Sequence, residues 1–211
     1  VMLRRAKEKY DLGFRCLKFK IGSKDFNKEM NLLKAMRAEF GNTITMRVDA
    51  NCAYTPDFYL QEVEPVLHSL DIHSIEQPVK VADVAGLTYC CAKSRVDIAL
   101  DESLIGTKSA DEMAELLDTV KPQYIILKPT LCGGLSGANQ WIKTAKERGI
   151  GYWATSALES NVGLLAIAQW SSTIGVDIPQ GLGTGMIYSN NIDKGLHIEG
   201  EKLWWKGTTT R

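Results

Sequence analysis

Lys18 and Lys20 stand one residue apart in the run CLKFKIG, with Leu17, Phe19 and Ile21 interleaved between and beside them. In an extended segment side chains alternate, so the two amines share one face and the apolar residues the other. Two ammonium groups side by side repel, and such a strand needs an acidic or a catalytic reason to carry them. The acids follow downstream: Asp49 in RVDAN, Glu76 in IEQP and Asp101 in LDES, and a further lysine, Lys128, in LKPT. The intervals from Lys20 onward are 29, 27, 25 and 27 residues.

Three carboxylates gathered without a cation would raise one another's pKa. A hard divalent ion relieves that repulsion by accepting their oxygens, which makes Asp49, Glu76 and Asp101 the expected ligands of Mg²⁺, with Mn²⁺ as a substitute. Lys20 and Lys128 flank the acidic trio. A lysine near a dication and a second lysine has its ammonium form disfavoured, which suits Lys20 to act as a general base. Lys18 either helps to lower the Lys20 pKa or holds an anionic group. Asn51, two residues past Asp49, is a candidate to bond a metal ligand or the substrate. Ser156 and the glycine-rich run Gly181 to Gly185, with Gly183 at its centre, offer donors to an anionic substrate group. The plainer alternative for each acid is a strand-end residue paired to arginine or capping a helix; for the lysines it is a stem that runs to the rim. His68, His73 and His197 lack paired spacing and read as structural or surface residues, and the five tryptophans, Trp204 and Trp205 among them, read as packing.

Positioning five ionisable groups at such intervals requires repeated strand–helix units. Strand-like runs occupy Cys16 to Gly22, Ile44 to Asn51, His73 to Pro78, Asp97 to Ser103, Tyr124 to Thr130, Gly151 to Ala157 and, less clearly, Asp177 to Gly183. Helical patterns separate them, such as Lys24 to Phe40, with Phe26, Met30, Leu33 and Met36 at core spacing, and Gly137 to Gly149. Repeated units of this length imply a parallel sheet, either doubly wound or closed into an α/β barrel. An open sheet draws its chemistry from one switch point, whereas five consecutive strands converge only in a barrel. Seven strands are counted where a barrel needs eight, and the chain opens on a helical segment, Met2 to Gly13. The expectation is a TIM-type barrel whose first strand lies upstream of Val1, in a longer natural protein.

The bulk composition agrees with one large core. Of 211 residues 45% are hydrophobic and 24% charged, and 25 basic residues balance 25 acidic ones, so charge gives no reason to expect nucleic acid or an anionic membrane surface. No apolar run approaches the roughly 20 residues of a membrane span. Five scattered cysteines without metal-type spacing, and no basic-then-apolar leader, point to the cytoplasm. Cys90 and Cys91 read as packing.

In order and interval, KFK, RVDAN, IEQP, LDES and LKPT closely resemble the enolase superfamily, in its muconate-lactonizing subgroup, over nearly the whole chain. The resemblance implies a (β/α)7β barrel over residues 1–211, preceded in the natural protein by an α+β capping domain that closes the site. It implies Asp49, Glu76 and Asp101 as Mg²⁺ ligands, Lys20 as the base next to a substrate carboxylate, and Lys128 as the opposite lysine. The segment Ser156 to Trp170 followed by PQGLGTG looks most like the o-succinylbenzoate synthases, lyases of menaquinone synthesis that dehydrate a small cyclohexadiene carboxylate. The alternatives are an N-succinylamino acid racemase, a dipeptide epimerase, and a truncated inactive remnant or a binding module. Dipeptide epimerases usually carry Asp-x-Asp at the last strand, where this chain has Gly181, Leu182 and Gly183. Cys52 stands where the pattern leads one to expect glycine or another small residue. The expected partner is a small-molecule carboxylate, and a homo-oligomer is compatible with the reading.

Overall fold

The structure, a computed structural model, describes residues 1–107, 109–183 and 187–207. Strands β1 (Cys16–Lys20), β2 (Thr45–Asp49), β3 (Ser74–Glu76), β4 (Asp97–Leu100), β5 (Tyr124–Leu127) and β6 (Gly151–Ala154) lie side by side in chain order. Every neighbouring pair is parallel. Between them run α2 (Phe26–Phe40), α5 (Val84–Lys93), α6 (Ala110–Val120) and α7 (Gly134–Lys146), while α8 (Asn161–Ser171) follows β6. The β2–β3 crossover is a broken helix: α3 (Pro56–Phe58), a π-helical turn over Tyr59–Val63, then α4 (Glu64–Ser69). α1 (Met2–Asp11) leads into β1.

Local chemistry accounts for these elements. Asp25 caps α2 by accepting from the Lys28 N–H at 3.0 Å, and Met30, Leu33, Met36 and Phe40 bury the face it turns to the sheet. Ser109 and Glu112 form a reciprocal capping box at the start of α6. The main core lies between the sheet and this helical layer, with Leu17, Phe19, Met46, Val48 and Ile75 directed into it from the strands. Strand alternation then sends Lys18, Lys20, Arg47, Asp49 and Glu76 to the inner face. The inner apolar filling is small, made of Ala99, Ile126 and Trp153 with Tyr124 and Ile178 against them.

The strands are staggered as a barrel requires. Lys20, Asp49 and Glu76 form one register row across β1, β2 and β3. Glu76 pairs with Ala99, so Asp101 lies two residues further along its strand. Leu100 pairs with Ile125, so Lys128 is advanced by two more than Asp101. Advancing along successive tilted strands keeps these residues at a similar height above the barrel, although the sequence intervals alone do not reveal the stagger.

The strand expected over Asp177 to Gly183 is reduced to one bridge, Thr155 to Gly181. Pro179 has no N–H to give a ladder, and the Gln180 side chain takes the Ala154 N–H at 2.5 Å in place of a main-chain acceptor. The parallel sheet therefore holds six strands among the described residues, with the Gly181 segment lying along the edge of β6. A cavity of about 490 Å³ separates that segment from β1, lined by Cys16, Lys18, Arg47, Glu76, Trp153 and Gly183 among others. Beyond it, β7 (Leu196–Glu199) and β8 (Lys202–Trp205) form an antiparallel hairpin. Trp204 and Trp205 on that hairpin are 48% and 49% exposed, which corrects their assignment to the packing; Trp141, Trp153 and Trp170 are buried.

Candidate active site

β1 ends at Lys20, and β2 and β3 end at Asp49 and Glu76, so all three reach the C-terminal rim of the sheet. Asp49, Glu76 and Asp101 are buried. Lys18 Nζ donates to Asp49 Oδ2 at 3.1 Å and to Glu76 Oε2 at 2.9 Å, bridging two of the acids. Lys128 Nζ donates to Asp101 Oδ2, which places the third acid with the opposite lysine. Lys20 is different: its side chain is 70% exposed, its Nζ donates to Asn51 Oδ1 at 2.8 Å, and Asp49 Oδ2 is 3.7 Å away. The amine proposed as the base is thus the one free to face a molecule above the rim.

Asn51 ties the rim together. Its main-chain N–H donates to Asp49 Oδ1 at 3.1 Å and its Nδ2 to Glu102 Oε1 at 2.9 Å. Asn51 and Cys52 have φ of +43° and +64°. This left-handed turn explains why glycine was the residue to expect at Cys52. Ser156 is buried, with its hydroxyl donating to Gly181 O at 3.2 Å. Gly183 lines the cavity beside Lys18. The remainder of the glycine run, including Gly185, lies outside the described residues.

Burial pushes the Glu76 carboxyl up to about 7; Lys18 opposes the shift, and Asp49 and Asp101 add to it. Burial also raises Asp101, against the pull of Lys128. Burial alone would lower the Lys18 ammonium, but Glu76 and Asp49 outweigh it and hold it above its ordinary value. Without a dication, then, Lys18 is a counter-ion to two acids and not a depressed amine.

Among the described residues no three His, Cys, Asp or Glu side chains are grouped to enclose a metal ion. The acids are divided between Lys18 and Lys128. Their chemistry still fits a hard dication, since all three are buried carboxylates, the donor type such an ion takes. The ammonium groups supply here the positive charge that such an ion would bring.

The Glu76 shift yields a prediction with a definite sign. In the metal-free fold Glu76 keeps its proton up to about pH 7, whereas its ordinary value is 4.5. Folding takes up a proton between those values, so metal-free stability falls as pH rises through that window. Metal ligation needs the ionised form, so the stabilisation from added Mg²⁺ should grow over the same window. Thermal melts in EDTA and in Mg²⁺ from pH 5 to 7.5 check this, with Glu76→Gln flattening the EDTA curve; a wild-type EDTA curve already as flat as that variant's would contradict it.

Three residues that shape the site were not singled out by the sequence. Glu29, buried on α2, accepts from the N–H groups of Gly22, Ser23 and Lys24 at 2.7, 3.1 and 2.8 Å, and so fixes the loop directly after Lys20. Arg47, two residues before Asp49, lies over the Trp153 ring at 4.1 Å inside the barrel. Gln77 links the ends of β3 and β4. Only Gln77 gave a signal, as the polar residue inside IEQP, and its role depends on a contact 24 residues away.

Residues 1–196 match the family described as enolase C-terminal domain-like. An o-succinylbenzoate synthase from Desulfotalea psychrophila is 47% identical over 192 residues, covering 90% of this chain and 52% of that protein. The crystal structure of MenC from the same organism superposes with a TM-score of 0.90 at 46% identity, covering 96% of this chain and 56% of the other. A hydrophobic dipeptide epimerase from Enterococcus faecalis is 35% identical over 148 residues, 69% of this chain and 40% of its own. The chain thus spans about half the length of the curated relatives it matches. With a parallel α/β sheet bearing its acids and lysines at the strand ends, the chain belongs to the enolase C-terminal domain-like family.

Proposed function

We propose that this chain is the barrel portion of a Mg²⁺-dependent lyase that dehydrates 2-succinyl-6-hydroxy-2,4-cyclohexadiene-1-carboxylate to o-succinylbenzoate. The observation that carries the reading is the extent of the likeness to the D. psychrophila synthase, at 47% over 90% of the chain. The site chemistry is compatible with it. Asp49, Glu76 and Asp101 would hold the dication, which when bound supplies positive charge to the substrate carboxylate as negative charge develops there.

The steps themselves fall to the lysines. The Lys20 amine takes the proton from the carbon bearing the carboxylate, and the C–H electron pair moves toward that group. The pair then returns to the ring as the C–O bond breaks, and the Lys20 ammonium gives its proton to the departing hydroxyl, so water leaves and the ring becomes aromatic. The exposure of Lys20 at the rim and its bond to Asn51 support giving it both steps on one face. Lys128, bound to Asp101 across the site, contributes positive charge without transferring a proton.

A second reading, racemisation or epimerisation, draws on the two lysines on opposite sides and on the epimerase relative. Gly181, Leu182 and Gly183 provide no carboxylates for a substrate amino group, which weighs against it. The two are separated by assaying the complete gene product with Mg²⁺. The lyase reading expects turnover of the cyclohexadiene acid well above deuterium exchange into N-succinylamino acids or dipeptides; faster exchange than dehydration would overturn it.

A further inference from the structure

We infer that Gln77 is a positioning residue that ties the strand end at Glu76 to the turn carrying Asp101, and so governs how these two acids can meet a shared cation. This rests on the metal reading above, but its evidence is separate. Gln77 is completely buried and follows Glu76 directly. Its φ of +35° is a left-handed conformation that a long side chain adopts only when its surroundings compel it. The compulsion is visible, because each of its polar atoms is used. The main-chain N–H donates to Ala99 O at 2.9 Å, and the carbonyl accepts from Cys52 N–H at 2.8 Å. The side-chain Oε1 accepts from both the Asp101 and the Ser103 N–H at 3.2 Å, and Nε2 donates to Val79 O at 3.1 Å.

One residue therefore joins the ends of three adjacent strands: the turn after Asp49, its own turn after Glu76, and the turn at Asp101. The side-chain requirements are specific. One oxygen must accept two N–H groups while a donor on the same group satisfies a carbonyl, which an amide of this length does at any pH. Glutamate would keep the double acceptor and, when ionised, lose the donor; methionine would fill the volume and lose both. Since the main chain at Asp101 is held by this oxygen, the direction of the Asp101 carboxylate depends on Gln77. That makes it an outer partner of the acids, of the kind whose loss typically weakens metal affinity by about 10–100-fold.

The test uses the complete gene product carrying Gln77→Met, Gln77→Glu, or Ile75→Val as a packing control on the opposite face of the strand. Mg²⁺ affinity is measured by calorimetry without substrate, and exchange of the Asp101 and Ser103 amides is measured without metal. Gln77→Met should weaken Mg²⁺ by about 10–100-fold and speed exchange at the two amides by about tenfold or more. Gln77→Glu should restore slow exchange and most of the affinity, and Ile75→Val should leave Mg²⁺ binding unchanged. Wild-type Mg²⁺ affinity and amide protection in Gln77→Met would overturn the inference. If that variant does not fold, rapid exchange of both amides in the wild type, or in Gln77→Glu, would overturn it equally. A wild type that binds no Mg²⁺ defeats the metal reading, while the exchange data still decide whether Gln77 holds the Asp101 turn.

Discussion

Lys20→Ala, made in the complete gene product, is expected to lower dehydration by about 10³-fold or more while Mg²⁺ affinity stays within a few-fold of wild type. A positioned general base is worth about 10²–10⁴-fold, and here the same amine is asked to act twice. The fold should tolerate the change, because the Lys20 side chain is 70% exposed and its closest bond is to Asn51 Oδ1. Lys18→Ala provides the contrast. Lys18 is held to two buried carboxylates, so its loss leaves Asp49 and Glu76 without their nearest cation. That variant should be destabilised in EDTA and recover in Mg²⁺. Steady-state kinetics with paired melting curves separates the two lysines. Normal turnover by Lys20→Ala would remove it from the chemistry, and an EDTA melt unchanged in Lys18→Ala would remove the counter-ion role.

The second large effect concerns the acids. Glu76→Gln, Asp49→Asn or Asp101→Asn should each weaken Mg²⁺ binding by about 100-fold or more, beyond the 10–100-fold typical of losing an outer partner. Glu76 is the sharpest case, since it is buried near two other acids and its neutral replacement removes the cost of burying a charge there, together with the smaller repulsion from Asp49 and Asp101. Glu76→Gln should therefore be more stable than wild type in EDTA near pH 7 and less stabilised by Mg²⁺. This reversal is hard to obtain from simple loss of packing. Calorimetric titration together with melting curves reads both halves; a Glu76→Gln protein that binds Mg²⁺ as wild type does would contradict the ligand assignment.

The parts of this molecule visible in the sequence are those set by short-range rules. The alternation in CLKFKIG separates Leu17 and Phe19 on one face from Lys18 and Lys20 on the other because strand geometry has a period of two, and the burial follows it. The strand–helix repeat gave the parallel order, since a parallel crossover demands an intervening helix. What escaped depends on distant pairings. Which lysine meets which acid is decided by the stagger that advances Asp101 and Lys128 along their strands. Glu29 binds three N–H groups of the loop before its helix, and nothing in its helical position distinguishes it from an ordinary surface acid. The segment Asp177 to Gly183 reads less clearly as a strand, its Pro and Gly residues being poor strand formers, and Pro179 and the Gln180 side chain reduce it to a single bridge. Trp204 and Trp205 were read by residue type alone, and the hairpin that carries them is half-exposed.

The proposal as a whole depends on Asp49, Glu76 and Asp101 releasing their lysine partners to share one dication. Anomalous scattering from crystals of the complete gene product grown with Mn²⁺ tests this most directly. The account predicts one strong peak per chain, bonded to an oxygen of each of the three acids, with Lys18 Nζ moved off Asp49 and Glu76 and Lys128 Nζ moved off Asp101. A map in which the lysines keep those acids, with no peak among them at saturating Mn²⁺, would contradict it.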